Sequence, residues 1–415
     1  MGIREQRSEK RYLTGTHRAC SPDETWAKFS PRARELGITR LANITGLDVI
    51  GLPVVTAVRP QGRSLATAQG KGLDLVAAKT SALMEAIELW HAERPQLPIR
   101  HASPRELLAE RTACIDVAQV PLRPGAGLNL HAPLMWVQGE DLLGREPCWV
   151  PLELVSMNWV MQPHQGAQLT FAGTSTGLAA GNTLLEATVH ALCEVIERDA
   201  STLWLAEGVA TRKPRQLDLS TVDSADCLPA LRLLGRAPVR VAAWDMASDL
   251  GIPAYACTVM DASERPEPGA TCVASGYGCH LAAGIALSRA LCEAVQSRAT
   301  VIAGSRDDFL PEDYERALDP AIWQAVRSDA FGTPPTLRWS ERSLATHSFE
   351  GDLDLLLEAL SKAGVGRAVA VELTRPEIGV PVVKVVVSGV EGTRIAPGYR
   401  PGGRMAARSA AGARP

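Results

Sequence analysis

ALMEAIE at residues 82–88, ALCEVIE at 191–197 and ALCEAVQ at 290–296 are three versions of one seven-residue phrase, 109 and 99 residues apart. A glycine-bearing stretch precedes each: AQGKGLDLVAA, STGLAAGNTLLEA and SGYGCHLAAG. Self-similarity of this kind is the first feature to seek in a sequence. The spacings are too long for a solenoid unit, so the pattern predicts internal multiplication inside one compact α/β domain (α+β in its wider sense), with helix-on-sheet units repeated around a centre. Between the helices, VRVAAWDMAS (239–248), IPAYACTVM (252–260) and VPVVKVVVSGV (380–390) read as strands. ITRLANITGLDVIGLPVVTAVRP, from Ile38, is punctuated by Gly46, Gly51 and Pro53 and predicts strands joined by tight turns. A helix is predicted over about Leu75–Ala92.

Successive residues of an α-helix turn by roughly 100°, so positions three, four and seven apart share a face. Ser81, Glu85 and Glu88 therefore project together, while Leu83, Ile87 and Trp90 form an apolar stripe for docking on a sheet. In the second helix Asn182, Glu186, Glu194 and Glu197 share a face, and in the third Arg289, Glu293 and Gln296 repeat the spacing. For a single helix, a solvated polar face explains such a pattern. Three related helices alter that balance, because like charges three or four apart repel and no lysine lies between Glu85 and Glu88 or between Glu194 and Glu197. A cation among the carboxylates resolves the repulsion. Mg²⁺ prefers carboxylate oxygens and is commonly shared with nucleotide phosphates. Packed about a pseudo-axis, the three faces would converge on one pocket.

The 415 residues are 46% apolar and 21% charged, with a formal net charge of -3, which demands neither nucleic acid nor a membrane. The first residues lack the apolar run of a secretion signal, no stretch approaches the roughly 20 apolar residues of a membrane span, and a cytoplasmic protein is expected. Nine scattered cysteines with no C-x-x-C pair read as reduced thiols. Residues 1–37 read as a polar arm with a short helix near Pro31–Leu36, and residues 398–415, rich in Gly, Pro, Ala and Arg, as a disordered tail. P-loop, Rossmann and nucleophile-elbow motifs are absent. QGKG at 69–72 is a weak phosphate-loop signal, equally consistent with an ordinary turn. His91 and His190 lack a second histidine at metal-ligand spacing and are expected in supporting roles.

The blocks ITRLANITGLDVIGLPVVTAVRP, RSLATAQGKG, KTSALMEAIELWHAE, GLAAGNTLLEATVHALCEVIERDA and EAVQSRATVIAGSRDD, in this order, resemble the signature blocks of YcaO-domain proteins from about Ile38 to Asp308, with weaker likeness to about Arg400. The resemblance implies a YcaO domain over residues 38–397 with one ATP/Mg²⁺ pocket. It implies ATP contacts from Ser81, Glu85, Glu88, Asn182, Glu186, Glu194, Glu197, Arg198 and Gln296, with Mg²⁺ held by Glu85, Glu88, Glu186, Glu194 and Glu197. Arg198, Gln296 and Arg298 are the implied catalytic residues. Leu89 stands where the family often has arginine, and SAAGARP stands where many azoline-forming members end in Pro-x-Pro-x-Pro. The implied chemistry is phosphorylation of a peptide amide oxygen. With external sulfide the product is a thioamide, the preferred reading, and with a neighbouring Cys, Ser or Thr it is an azoline. About 37 residues precede the first block, which reads as a stand-alone member working on a peptide or protein substrate with a TfuA-like sulfur-delivery partner, and as a homodimer by family likeness. A non-catalytic peptide-binding scaffold is the alternative of another class, and retention of every clustered carboxylate argues against it.

Overall fold

The computed structural model describes residues 2–160, 169–263, 273–392 and 399–412. Each glycine-bearing stretch folds as a strand at the end of a sheet and runs, through a three-residue turn, into the helix that carries the repeated phrase. After helix α1 (Pro22–Phe29), strands β1 (Arg40–Asn43), β2 (Val54–Val58) and β3 (Thr67–Lys71) lead into α2 (Leu75–Ala92). Next come β4 (Arg100–Ala102), α3 (Pro104–Ala109), β5 (Leu134–Asp141) and β6 (Glu146–Pro151), then β7 (Leu178–Ala180) and α4 (Leu184–Leu205). Helix α5 (Val209–Arg212), β8 (Gln216–Leu217), α6 (Leu228–Leu234), β9 (Val239–Asp245), β10 (Ala254–Asp261) and β11 (Val273–Cys279) precede α7 (Ala283–Ala303). The remainder is α8 (Pro311–Ala317), α9 (Pro320–Phe331), α10 (Phe349–Lys362), β12 (Ala368–Glu372), β13 (Val382–Val387) and α11 (Gly403–Gly412).

The strands make three sheets, ordered β1-β2-β3, β11-β10-β9-β8 and β4-β5-β12-β13-β7, with β6 paired to β5. Their ladders are antiparallel, so the α/β expectation is met in its α+β form. The strands β3, β7 and β11 are ends of their sheets. Each helix packs on its own end strand and also touches the next unit's: α2 meets β7, α4 meets β11 and α7 meets β3. The three units thus close a ring, which places the polar faces of the three helices at its centre.

Close approach of helix to strand is a matter of small residues. A Cβ on Gly70 would lie 2.0 Å from the backbone nitrogen of Ala82, and one on Gly276 would lie 2.1 Å from that of Ala294. Ala78, Ala82 and Ala86 on α2, and Ala286, Ala290 and Ala294 on α7, are buried at four-residue spacing and supply the matching flat face. Of the predicted stripe, Leu83 and Ile87 are fully buried, while Trp90 is half-buried with Arg94 and Arg375 over its ring.

Both chain ends differ from expectation. The arm's helix is Pro22–Phe29, not 31–36: Ser21 Oγ accepts the N–H of Glu24 while Glu24 caps Ser21 in return, with proline in the first turn. The arm is pinned by Lys10, whose Nζ lies 2.5 Å from Asp352 in a fully buried pair. The tail is ordered over the described residues 399–412. Met405 is buried, Arg404 pairs with Asp199 at 2.9 Å and Asp249 at 2.6 Å, and the Tyr399 hydroxyl donates to Glu391 at 2.5 Å. One buried side chain and these charge pairs replace the apolar face that the tail lacks. Residues 398 and 413–415 lie outside the described residues, as does Cys272. The other eight cysteines are free thiols, and no helix among the described residues is long and apolar enough to cross a membrane.

Candidate functional site

A strand at the end of a sheet presents unpaired backbone N–H and C=O groups, and buried ones must find partners. In this ring the repeated phrase provides them. Its fourth residue is Glu85, Glu194 or Glu293, and each accepts an N–H from its own unit: Gln69, Gly177 at 3.1 Å and Tyr277 at 3.4 Å respectively. Its seventh residue reaches the next unit. Glu88 accepts the Ala180 N–H at 2.8 Å, and Gln296 donates Nε2 to the Gln69 carbonyl at 2.7 Å. Glu197 occupies the same position in the second unit, 2% exposed and 3.6 Å from the Arg198 guanidinium. Arg198 also lies 3.8 Å from Glu194.

These side chains line one cavity of about 610 Å³. Ser81, Glu85, Glu88, Asn182, Glu186, Glu194, Glu197, Arg198 and Gln296 all border it. Glu186 is buried where the arm crosses: it accepts the Ala19 N–H at 2.9 Å and pairs with Arg18 at 3.3 Å, while Thr25 donates to Asn182 at 3.1 Å.

Arg298, expected among the catalytic residues, is not there. Its guanidinium is buried against Asp48 at 3.0 Å and Asp261 at 2.9 Å, tying α7 to the turn before β2 and to the end of β10. Helical geometry is the reason: two residues beyond Gln296 is about 200° around the axis, on the far face. Arg289, seven residues before Gln296, returns to the same face and borders the cavity.

Crowding of carboxylates raises their affinity for protons. Burial pushes Glu85 up to about 7 even though Lys71 and Arg306 oppose it. Glu197 is likewise pushed up to about 7 by burial, against Arg198. Glu88 is raised well above the ordinary range, again chiefly by burial. Glu293 behaves oppositely: against its burial, Lys71 and Arg198 hold it below the usual value. His190 is kept neutral by burial and by the Arg289 guanidinium, 3.3 Å from its Nδ1.

Six glutamates and Asp74 border the cavity against Arg18, Lys71, Arg198, Arg289 and Arg306, so carboxylates outnumber the fixed cations. Among the described residues no three His, Cys, Asp or Glu side chains close on one point. Mg²⁺ usually takes one or two protein carboxylates and completes its octahedron with phosphate and water oxygens. The donor set therefore fits a nucleotide-borne Mg²⁺ better than a closed protein cage.

Several residues of the cavity escaped the sequence reading. Lys71, from QGKG, is a strand residue rather than part of a phosphate loop; its Nζ donates to Glu293 at 3.1 Å and to Gln296 at 2.8 Å. Arg18, Thr14 and Thr16 come from the arm, whose one signal in the sequence, Ser21 three residues before Glu24, went unread. The Arg289 Nε is buried without a hydrogen-bond partner among the described residues. His91 instead packs inside the first unit, with Nδ1 2.8 Å from the Ile87 carbonyl.

Residues 69–391 match the family model described as YcaO cyclodehydratase, ATP- and Mg²⁺-binding. A relative from Rhizobium leguminosarum bv. trifolii, described as an uncharacterized protein in the tfuA 3' region, is 35% identical over 377 residues, 90% of this chain and 88% of the relative. One from Methanothermobacter thermautotrophicus is also 35% identical, covering 90% and 94%. Among solved structures, YcaO from Methanopyrus kandleri bound with AMPPCP and Mg²⁺ superposes with a TM-score of 0.70 at 25% identity, over 92% of this chain and 95% of that one. A heterocyclase in complex with substrate and cofactor gives 0.75 at 22% identity over 93% of this chain; the chain spans about half (54%) of its length, and the likeness speaks for the fold.

Proposed function

The chain belongs to the YcaO family, and from that premise we propose that it uses Mg·ATP to activate a backbone amide of a peptide or protein, exchanging the amide oxygen for sulfur. The observation that carries the reading is the convergence of nine side chains from one strand-helix turn and three helices on one acidic cavity. ATP would supply the phosphoryl group, and its Mg²⁺ the positive charge that stands between phosphates and carboxylates.

The chain's own residues have separable tasks. Glu85, Glu88, Glu186, Glu194 and Glu197 would hold the nucleotide-borne Mg²⁺ ions, one or two carboxylates to each, with Ser81 and Asn182 as neutral oxygen and amide contacts. Arg198, fixed between Glu194 and Glu197, and Gln296, fixed by Lys71 and the Gln69 carbonyl, orient the phosphate oxygens. Positioning and fixed charge are most of what phosphoryl transfer requires. The amide oxygen bonds to the γ-phosphorus as ADP leaves. Hydrosulfide then adds to the activated carbon, and the C–O bond breaks with release of phosphate, which carries away the proton of the hydrosulfide. Amide, ATP and HS⁻ thus become thioamide, ADP and hydrogen phosphate. A sulfur-delivering partner of TfuA type is supported by the relative from the tfuA 3' region.

Calorimetric titration of ATP into the protein, with and without Mg²⁺, tests the nucleotide part: binding requires Mg²⁺ and weakens in Glu85→Gln. Mass spectrometry of a candidate peptide incubated with Mg·ATP, sulfide and the partner tests the rest, because oxygen-to-sulfur exchange adds about 16 mass units whereas azoline formation removes water. Full peptide modification by Glu85→Gln would refute the acidic-site assignment.

A further inference from the structure

We propose that the apolar end of this cavity seats the acceptor peptide and selects a bulky apolar side chain one or two residues from the activated amide, a step that rests on the function proposed above. The cavity follows α2 from Ala77 to Leu89, about 18 Å at 1.5 Å per residue. Its two ends differ in chemistry. Where the arm crosses, the lining is polar, with Tyr12, Thr14, Thr16 and Arg18 facing Asp74. Beyond the carboxylates the lining includes Leu65, Met84, Leu89, Met157, Trp159 and Phe309, with Arg306 beside them.

The distances suit a peptide. Leu89 lies one helical turn beyond Glu85, about 6 Å along the axis. An extended chain advances roughly 3.5 Å per residue, so an amide held at the carboxylates places the side chain one or two residues away against this wall. The wall is anchored on three sides. Leu89 and Met157 are buried in the core under α2. The Met157 N–H bonds the Ala92 carbonyl at 2.8 Å and the Trp159 N–H bonds the Arg63 carbonyl at 2.9 Å. Opposite, the Ala66 N–H donates to Asp307 at 3.3 Å, which holds the segment carrying Phe309 beside the turn between β2 and β3. The Arg306 guanidinium lies 5.7 Å from the Phe309 ring, and Arg306 also senses Glu85, so wall and carboxylates belong to one space.

Trp159 forms the open side of the wall, 44% exposed. At the rim of a concave cavity its ring is open to a ligand that enters. Two thioethers and two aromatic rings adapt to side chains of varied shape, and the Trp159 indole N–H is their one strong hydrogen-bonding group, too little to pair both the donors and the acceptors on the edge of a nucleotide base. The hydroxyl-bearing arm end meets that need better, which leaves the apolar end for the acceptor.

The test uses the full chain with Mg·ATP, sulfide and capped pentapeptides, acetyl-Gly-Ala-Xaa-Ala-Gly-amide, varying only Xaa and reading phosphate release above the peptide-free rate. Phe, Leu or Met at Xaa is expected to give kcat/KM about tenfold above Asp or Gly, the worth of one buried apolar side chain. Trp159→Ala and, separately, Phe309→Ala remove that preference by raising the KM of the Phe peptide toward that of the Gly peptide. Wild-type rates that do not depend on Xaa, including no stimulation by any peptide, overturn the inference provided that calorimetry on the same sample finds Mg·ATP bound. Weakening of ATP binding in Trp159→Ala, with Xaa selectivity kept, would assign the wall to the nucleotide base instead. Absence of Mg·ATP binding in the wild type is a failure of the proposed function, not of the wall.

Discussion

The third repeat differs from the first two at the position that matters most. Glu88 and Glu197 close the phrase in the first and second units, whereas Gln296 closes it in the third, where Lys71 from β3 donates to both Glu293 and Gln296. The consequence is a polarised ring. Around the first two helices burial drives Glu85 and Glu197 up to about 7, while Glu293, the third unit's counterpart of Glu85, is held low by Lys71 and Arg198 despite its burial. A single backbone repeat thus provides two kinds of wall: one that seeks a cation and one already neutralised, with a neutral amide held between Lys71 and the Gln69 carbonyl.

Glu197→Gln breaks the comparison most severely, because it converts the second unit to the third unit's chemistry without a lysine to match. ATP turnover with peptide is expected to fall by about 100-fold or more, the usual loss when a preorganised electrostatic contact is removed, measured as phosphate release at saturating Mg²⁺. Retention of even a third of the wild-type rate would mean that this carboxylate is a structural cap only.

Arg298→Ala has its large effect elsewhere. Stripping the partner from the buried Asp48 is expected to cost about 3–5 kcal/mol of stability, read from urea denaturation, while the turnover of the protein that remains folded stays near the wild-type rate. The contrast with Arg198→Ala, where turnover collapses, separates the arginine in the cavity from the one behind it.

Gln296→Glu makes all three units alike. A carboxylate cannot donate to the Gln69 carbonyl, which loses its 2.7 Å partner, and an unsatisfied buried acceptor costs about 1–3 kcal/mol. The expected result is a lower denaturation midpoint that recovers partly as Mg²⁺ is added. No recovery with Mg²⁺ would show that the added charge faces the backbone alone.

The order of blocks, the glycine stretches and the α2 limits were legible because close helix-strand packing and the repeated phrase leave direct traces in residue type. Which arginine enters the cavity was legible in principle, since Arg289 and Gln296 share a helical face and Arg298 does not; reading adjacency in sequence as adjacency in space misplaced it. Lys71 was hidden for a different reason. Its partners Glu293 and Gln296 lie more than 200 residues away, and only closure of the ring brings β3 against α7. The arm was opaque because its polar composition says nothing of the buried Lys10–Asp352 pair or of Glu186 accepting the Ala19 N–H.

The smallest effect is a pH slope, and its sign follows from the polarity of the ring. Glu85 and Glu197 have folded values of about 7, above the 4.5 or so of an unfolded chain, so the folded ligand-free protein binds extra protons between those limits. Their contribution to stability is complete below about 4.5 and is lost as pH rises through 7. His91, lowered by burial to about 4, acts with the opposite sign, but its contribution is already complete above about 6.5 and adds no slope beyond it. Between pH 6.5 and 8 the carboxylates therefore act alone among these groups, and each is expected to remove about 1 kcal/mol. Thermal unfolding of the ligand-free protein should show the midpoint falling across this window. Glu197→Gln should flatten the fall, since its amide does not titrate, whereas a substitution in the neutralised third unit, Gln296→Met, should leave the slope in place. A wild-type midpoint that rises from pH 6.5 to 8 would place the excess protons on the unfolded chain and reverse the polarity argued for the two walls.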